Sequence, residues 1–136
     1  EKLSKEVTWQ YFEKIVGYIF EQNGFDVNVG VIVKDGYGIK RQFDVVAERY
    51  GLTYLIESKK WKSRKEYNSA IKSAVKKHME RCILFRNARG DGIPIIVTLI
   101  EGEVEMHEDV PIVPIMKLNW FINNVDQFIG NDEFKI

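Results

Sequence analysis

Arg41-Gln42-Phe43-Asp44-Val45-Val46-Ala47-Glu48-Arg49-Tyr50-Gly51-Leu52-Thr53-Tyr54-Leu55-Ile56-Glu57-Ser58-Lys59-Lys60-Trp61 carries two runs of strand-forming residues on either side of Tyr50-Gly51. A two-residue connection of this kind reads as a tight hairpin turn. If Arg49 pairs with Leu52 across that turn, Asp44 falls opposite Glu57. Directly opposed residues have Cβ atoms roughly 4.5–5.5 Å apart. Glu57 and Lys59 are two apart on a strand and share a face, while Ser58 turns to the other. That alternation argues against a serine nucleophile. Two carboxylates so close repel unless a cation sits between them or one holds a proton. The pattern suits a hard divalent ion, because magnesium takes one or two carboxylates along with waters and phosphate oxygens. Such an ion polarises a phosphate and activates a water, and a lysine beside it offsets charge in the transition state. The plainer alternative is a solvated strand face with Glu57 and Lys59 paired to Arg41 or Glu48. Three features weigh against it: the strand is otherwise apolar, a hairpin opposes the Asp to the Glu, and a basic helix follows.

Outward from the hairpin the pattern stays regular. Upstream, Ser4 is placed to cap a helix running to about Asn23, with Val7, Phe12, Ile15, Val16, Ile19 and Phe20 on one apolar face. Asn23-Gly24 ends it, residues 25–29 alternate as a strand does, and Asp35-Gly36-Tyr37-Gly38 is a turn. Downstream, Arg64 to about Leu84 reads as a long helix with Tyr67, Ile71, Ala74, Val75 and Met79 on its core face. Residues 87–92 form a loop, and Ile93–Ile100 is a buried strand. The acidic stretch 101–109 reads as exposed, and Val110–Ile115 as a short strand whose prolines suggest a sheet edge. Lys117–Phe128 is a closing helix. Helix, three strands, helix, strand, strand, helix is an α/β order: a mixed central sheet flanked by helices, in one domain over residues 1–136.

The net charge of zero hides an uneven distribution. Residues 59–81 hold nine basic and two acidic side chains, and residues 101–136 hold eight acidic and two basic. A basic stretch beside a metal-suited carboxylate pair points to an anionic polymer, with Lys60, Lys62, Arg64, Lys65, Lys72 and Lys76 as the candidate phosphate contacts. The bland reading of those lysines is a solvated helix face. No apolar stretch is long enough for a membrane span. Cys82 is the sole cysteine, which excludes an internal disulfide and points to a reducing, cytoplasmic setting.

Asp44, followed after twelve residues by Glu57-Ser58-Lys59, resembles the signature of the PD-(D/E)XK nuclease superfamily. Glu57-Ser58-Lys59-Lys60-Trp61-Lys62 is most similar to Mrr-like restriction endonucleases and archaeal Holliday-junction resolvases. The resemblance covers roughly residues 5–115. It implies a restriction-endonuclease-like αβββαβ core, DNA as substrate, and Mg²⁺ or Mn²⁺ as cofactor. It further implies Asp44 and Glu57 as metal ligands and Lys59 as the catalytic lysine. The first helix of such folds often carries an acidic residue facing the site, and Glu13 in Trp9-Gln10-Tyr11-Phe12-Glu13 fits that place. Gln42-Phe43 before the Asp departs from the Gly-rich run or proline of many members.

The rival readings are a DNA-binding module that has lost turnover, and an assembly domain. The closing helix, with Trp120, Phe121 and Phe128, is a candidate homodimer interface. His78 and His107 are too few and too scattered for a metal site or a nucleophilic triad, and Trp61 reads as core packing.

Overall fold

The computed structural model describes the backbone of residues 2–128 and the side chains of residues 10–128. The order is α1 (Lys2–Gln22), β1 (Asp26–Lys34), β2 (Lys40–Arg49), β3 (Leu52–Lys59), α2 (Arg64–Arg89), β4 (Ile93–Thr98), β5 (Glu105–His107), β6 (Val110–Pro114) and α3 (Leu118–Asn123). Single 3-10 turns flank α3 on both sides. The strands form one mixed sheet in the order β1-β2-β3-β4-β6-β5. The first three are antiparallel, β3, β4 and β6 are parallel, and β5 returns antiparallel on β6. The architecture is the expected restriction-endonuclease-like α/β fold.

Tyr50 and Gly51 both have positive φ, 52° and 81°. This is the mirror-image turn whose twist matches a hairpin. It locks Arg49 against Leu52 and carries the register to Val45 against Ile56, as the sequence predicted.

Two helices cover one face of the sheet. Phe12, Val16 and Phe20 of α1 and Leu118 and Phe121 of α3 pack with Val45, Ala47, Ile56, Ile95 and Val97. The other face belongs to α2, which lies across several strands. Its first half, through Tyr67, Ile71 and Val75, packs on Ile96 and Ile112. Its second half, through Cys82 and Phe85, packs on Val33, Phe43 and Leu55. A capping box starts α2: Ser63 Oγ accepts the Glu66 N–H at 3.2 Å, and the Glu66 carboxylate accepts the Ser63 N–H at 3.2 Å.

The strand alternation fails at one level, and the site lies there. Val27 faces the α1 side while Val31 and Val33 face α2. Val45 and Ala47 face α1, yet Phe43 joins Val46 on the α2 side. Both strands therefore turn over between these groups, where Gly30 stands in register with Asp44. Gly30 has φ of +66° and is skipped by the pairing. Only glycine adopts that backbone at little cost.

Several expectations are corrected. Ser4 lies inside α1 instead of at its cap; its side chain, with those of Val7 and Trp9, lies outside the described residues. Residues 87–89 continue α2, which ends at Gly90 with φ of 112°. Met79 is exposed, and His78 takes the buried place on α2 beside it. Strand β6 is not the sheet edge, because β5 pairs beyond it at Val110, Pro111 and Ile112; Pro114 lies past the end of β5. The turn joining β5 to β6 is Glu108-Asp109, both left-handed. It lacks the Asn-Gly or Asp-Gly signature, so periodicity could not find it. The closing helix is a short α3 between 3-10 turns. Phe121 is fully buried in the core, and Trp120 is the exposed aromatic of that segment. No described helix is long and apolar enough to cross a membrane.

Candidate active site

The pairing of β2 with β3 stops at Val45–Ile56, one step short of Asp44 and Glu57. The two strands part there, and both carboxylates occupy the fork. Asp44 Oδ2 accepts the Ser58 N–H at 2.8 Å, which ties the end of β2 to β3 by a side chain in place of the missing ladder. Glu57 is buried, 7% exposed. Its Oε2 lies 3.5 Å from Lys59 Nζ, as expected for residues two apart on one strand. The same oxygen lies 2.8 Å from Nη1 of Arg81 on α2. Ser58 turns to the opposite face and is buried, with no hydrogen-bond partner for its hydroxyl among the described residues.

The electrostatics follow from this crowding. Burial, then the charge of Glu57, pushes the Asp44 carboxyl up to about 7, although the Ser58 N–H pulls the other way. Glu57 goes down: burial would raise it, but the Arg81 hydrogen bond and charge, the bond to Asp44 and the Lys59 charge outweigh burial. Below pH about 7 Asp44 thus keeps a proton beside an ionised Glu57, because two adjacent carboxylates resist carrying charge together. Glu13 on α1 feels the same field; partial burial and then the Glu57 charge raise its pKa. The structure therefore brings Asp44, Glu57 and Lys59 together and adds Arg81, while Glu13 on α1 feels the Glu57 charge without contacting the cluster.

The donor set fits a hard divalent ion. Asp44 and Glu57 offer two adjacent carboxylates at a strand fork, and a divalent ion there would replace the proton on Asp44. No group of three or more ligating side chains converges among the described residues, so a bound ion would complete its shell with water or phosphate oxygens.

Behind the pair, His78 is buried on α2 and its Nε2 is 2.8 Å from the Leu55 carbonyl oxygen. A carbonyl only accepts, so Nε2–H donates, and Nδ1 has no partner among the described residues. Burial pushes the imidazole down to about 4. The ordinary value is about 6.5, so the neutral form's stabilisation is present above 6.5 and is lost as pH falls through 4. Asp44, raised, has the opposite sign: its stabilisation is present below its ordinary value and is lost as pH rises through about 7. The comparison of wild type with His78→Gln isolates the histidine, because glutamine keeps a donor but does not titrate. Between pH 7 and pH 5 the wild type should lose about 2 kcal/mol relative to the variant in urea unfolding. A pH-independent difference would sink this account.

The basic residues divide. Arg64 is engaged with Glu105 at 3.0 Å and stacks on the Tyr67 ring. The Lys62 N–H is used in capping α2. Lys65, Lys72 and Lys76 are exposed, but at roughly 100° per residue they lie well around α2 from Arg81, the residue that meets the site. Lys77, roughly 40° from Arg81 on the same count, is nearer the site side. In the sequence Arg81 is only the last of the nine basic side chains of residues 59–81. Its pairing with Glu57 has no local signal, since 24 positions separate them.

Cys82 is buried and its thiol is pushed up to about 12 by burial, so it is a packing residue. Trp61 packs edge-on against Tyr67. The Tyr67 hydroxyl bonds to Glu105 and to His107 at 2.8 Å each, which pins β5 to the start of α2.

The family model of the Mrr-type catalytic domain, described as restriction endonuclease, matches residues 4–89. An uncharacterized protein of Archaeoglobus fulgidus is 32% identical over 127 residues, which is 93% of this chain and 98% of that one. An XisH family protein from Nostoc punctiforme shares the fold at 18% identity and a TM-score of 0.52, over 64% of this chain and 67% of that one. Protein VC1899 from Vibrio cholerae does so at 15% identity and a TM-score of 0.52, over 93% of this chain; the match spans only 34% of that longer chain.

Proposed function

The chain belongs to the Mrr-type restriction endonuclease family, and from that premise we propose that it is a Mg²⁺- or Mn²⁺-dependent DNA endonuclease. The observation that carries the reading is the Asp44–Glu57 pair at a strand fork, flanked by Lys59 and Arg81. Asp44 and Glu57 would hold the metal. The ion supplies Lewis acidity toward the scissile phosphate and toward an attacking water. Lys59, on the same face as Glu57, offsets negative charge that develops on the phosphate and orients the water. Arg81 keeps Glu57 ionised and oriented inside a buried setting. Glu13 adds negative charge on the α1 side and supports the ion's hold. Lys60, Lys62, Lys65, Lys72 and Lys76 are proposed phosphate contacts at increasing distance from the chemistry.

The test is cleavage of supercoiled plasmid, linear duplex and four-way-junction DNA by the whole chain in Mg²⁺, Mn²⁺ or EDTA. Cutting in either metal and none in EDTA is the expected result. Salt-sensitive DNA binding with no cutting under any condition would instead make the chain a DNA-binding module with a nuclease fold.

A further inference from the structure

We infer that the tip of the β1–β2 hairpin, residues 34–41, is a second DNA-contacting element, a rigid basic finger that lies on the backbone and groove of the duplex beside the cleavage site. It rests on the endonuclease reading and adds to it a surface outside the catalytic fork.

Lys34 and Lys40 are direct cross-strand partners at the base of the tip. Like charges directly opposite each other destabilise a hairpin, so this pair works against folding. Arg41 extends the same basic cluster, and its guanidinium bonds only to the adjacent Lys40 carbonyl among the described residues, at 2.9 Å. None of the three makes a salt bridge with a described residue. The one acid of the tip, Asp35, does not neutralise them. Its carboxylate accepts the N–H groups of Tyr37 at 2.8 Å and Ile39 at 2.9 Å. Those bonds, with Asp35 N–H to the Ile39 carbonyl at 2.9 Å, hold the loop in one shape. A preordered cationic element loses little entropy when it meets a polyanion.

The tip also presents apolar surface that folding does not use. Tyr37 is 94% exposed and Ile39 is 47% exposed. An exposed aromatic among cations is what packs on sugars and base edges while lysine and arginine take phosphates. Below the tip, Val33 and Phe43 are buried against Cys82 and Phe85 of α2, so the finger is braced from its base.

Its distance from the chemistry is set by the strand. Arg41 and Lys40 precede Asp44 by three and four residues, about 10–13 Å along β2. With Asp44 at a scissile phosphate, the finger falls within a few phosphates of it on the same duplex.

The experiment measures binding of the whole chain to a fluorescent 25-base-pair duplex in EDTA, where no cutting occurs, across a salt series. Wild type is compared with Lys34→Ser/Lys40→Ser/Arg41→Ser and, separately, with Tyr37→Ala. The triple variant should bind about 10–100-fold more weakly, with a salt slope shallower by about 2–3, near 0.9 for each phosphate no longer neutralised. Tyr37→Ala should weaken binding about 3–10-fold with the slope unchanged, as for an uncharged contact to sugars and base edges. Neither variant should lower the unfolding midpoint, since neither removes a buried group and the triple variant relieves the Lys34–Lys40 repulsion. Wild-type binding with an unchanged triple variant overturns the finger and leaves the nuclease reading standing. No salt-dependent binding by the wild type overturns both. Binding to anionic phospholipid vesicles that the triple variant loses, with DNA binding unchanged, overturns the finger as a DNA element and assigns it to a membrane surface.

Discussion

Lys59→Ala should lower Mg²⁺-dependent cleavage by on the order of 10³-fold, the usual cost of removing one preorganised charge-stabilising group. Lys59 is partly exposed and its ammonium lies 3.5 Å from Glu57, so its removal opens no cavity and should leave the fold intact. Single-turnover cleavage of a labelled duplex, with DNA affinity measured in parallel, separates chemistry from binding. Glu57→Ala should lose cleavage to a similar degree through the metal. A Lys59→Ala variant that keeps more than a tenth of wild-type activity would shift the cationic role to Arg81, the other positive group at Glu57.

Replacing Arg81 by leucine should destabilise the metal-free protein by about 3 kcal/mol, the lower end for breaking a buried pair from one side. The reasoning starts from Glu57. Its carboxylate is buried, and Arg81 at 2.8 Å does most to offset that burial, with the bond to Asp44 and the more distant Lys59 adding to it. Without Arg81 the site holds two crowded carboxyl groups and one lysine. Adding Glu57→Gln to Arg81→Leu should recover part of the loss, because the uncompensated charge is then gone. Urea unfolding in EDTA of the two single variants and the double variant completes the cycle. A change under 0.5 kcal/mol in Arg81→Leu, or strict additivity in the double variant, would show that the pair does not stabilise the site.

The His78 experiment bears on the same region from behind. A neutral, buried imidazole donating to β3 at Leu55 braces the strand two residues before Glu57. It belongs to the stability of the site's support, and its effect is expected in unfolding curves before it appears in cleavage.

Residues close in sequence carried much of this protein in plain view. Tyr50-Gly51 determined the hairpin register, because a two-residue turn leaves one way to pair the strands it joins. That register and the two-residue period of a strand brought Asp44 to Glu57 and put Lys59 on the same face. The apolar periodicity of residues 12–20 and 67–75 was enough to bury α1 and α2 against the sheet. Tertiary structure decided the rest. The turnover of both strands at Gly30 and Asp44 breaks the alternation and sends Phe43 to the α2 side, and no local pattern encodes it. The course of α2 across the sheet selects Arg81 to meet Glu57 and leaves Lys72 and Lys76 on another flank, although all three looked alike as basic helix residues. Strand β5 depends on Tyr67 and Arg64, about forty residues away in the chain. In each case the deciding interaction joins residues distant in sequence, and its free energy comes from burial and charge pairing that exist only once the sheet has formed.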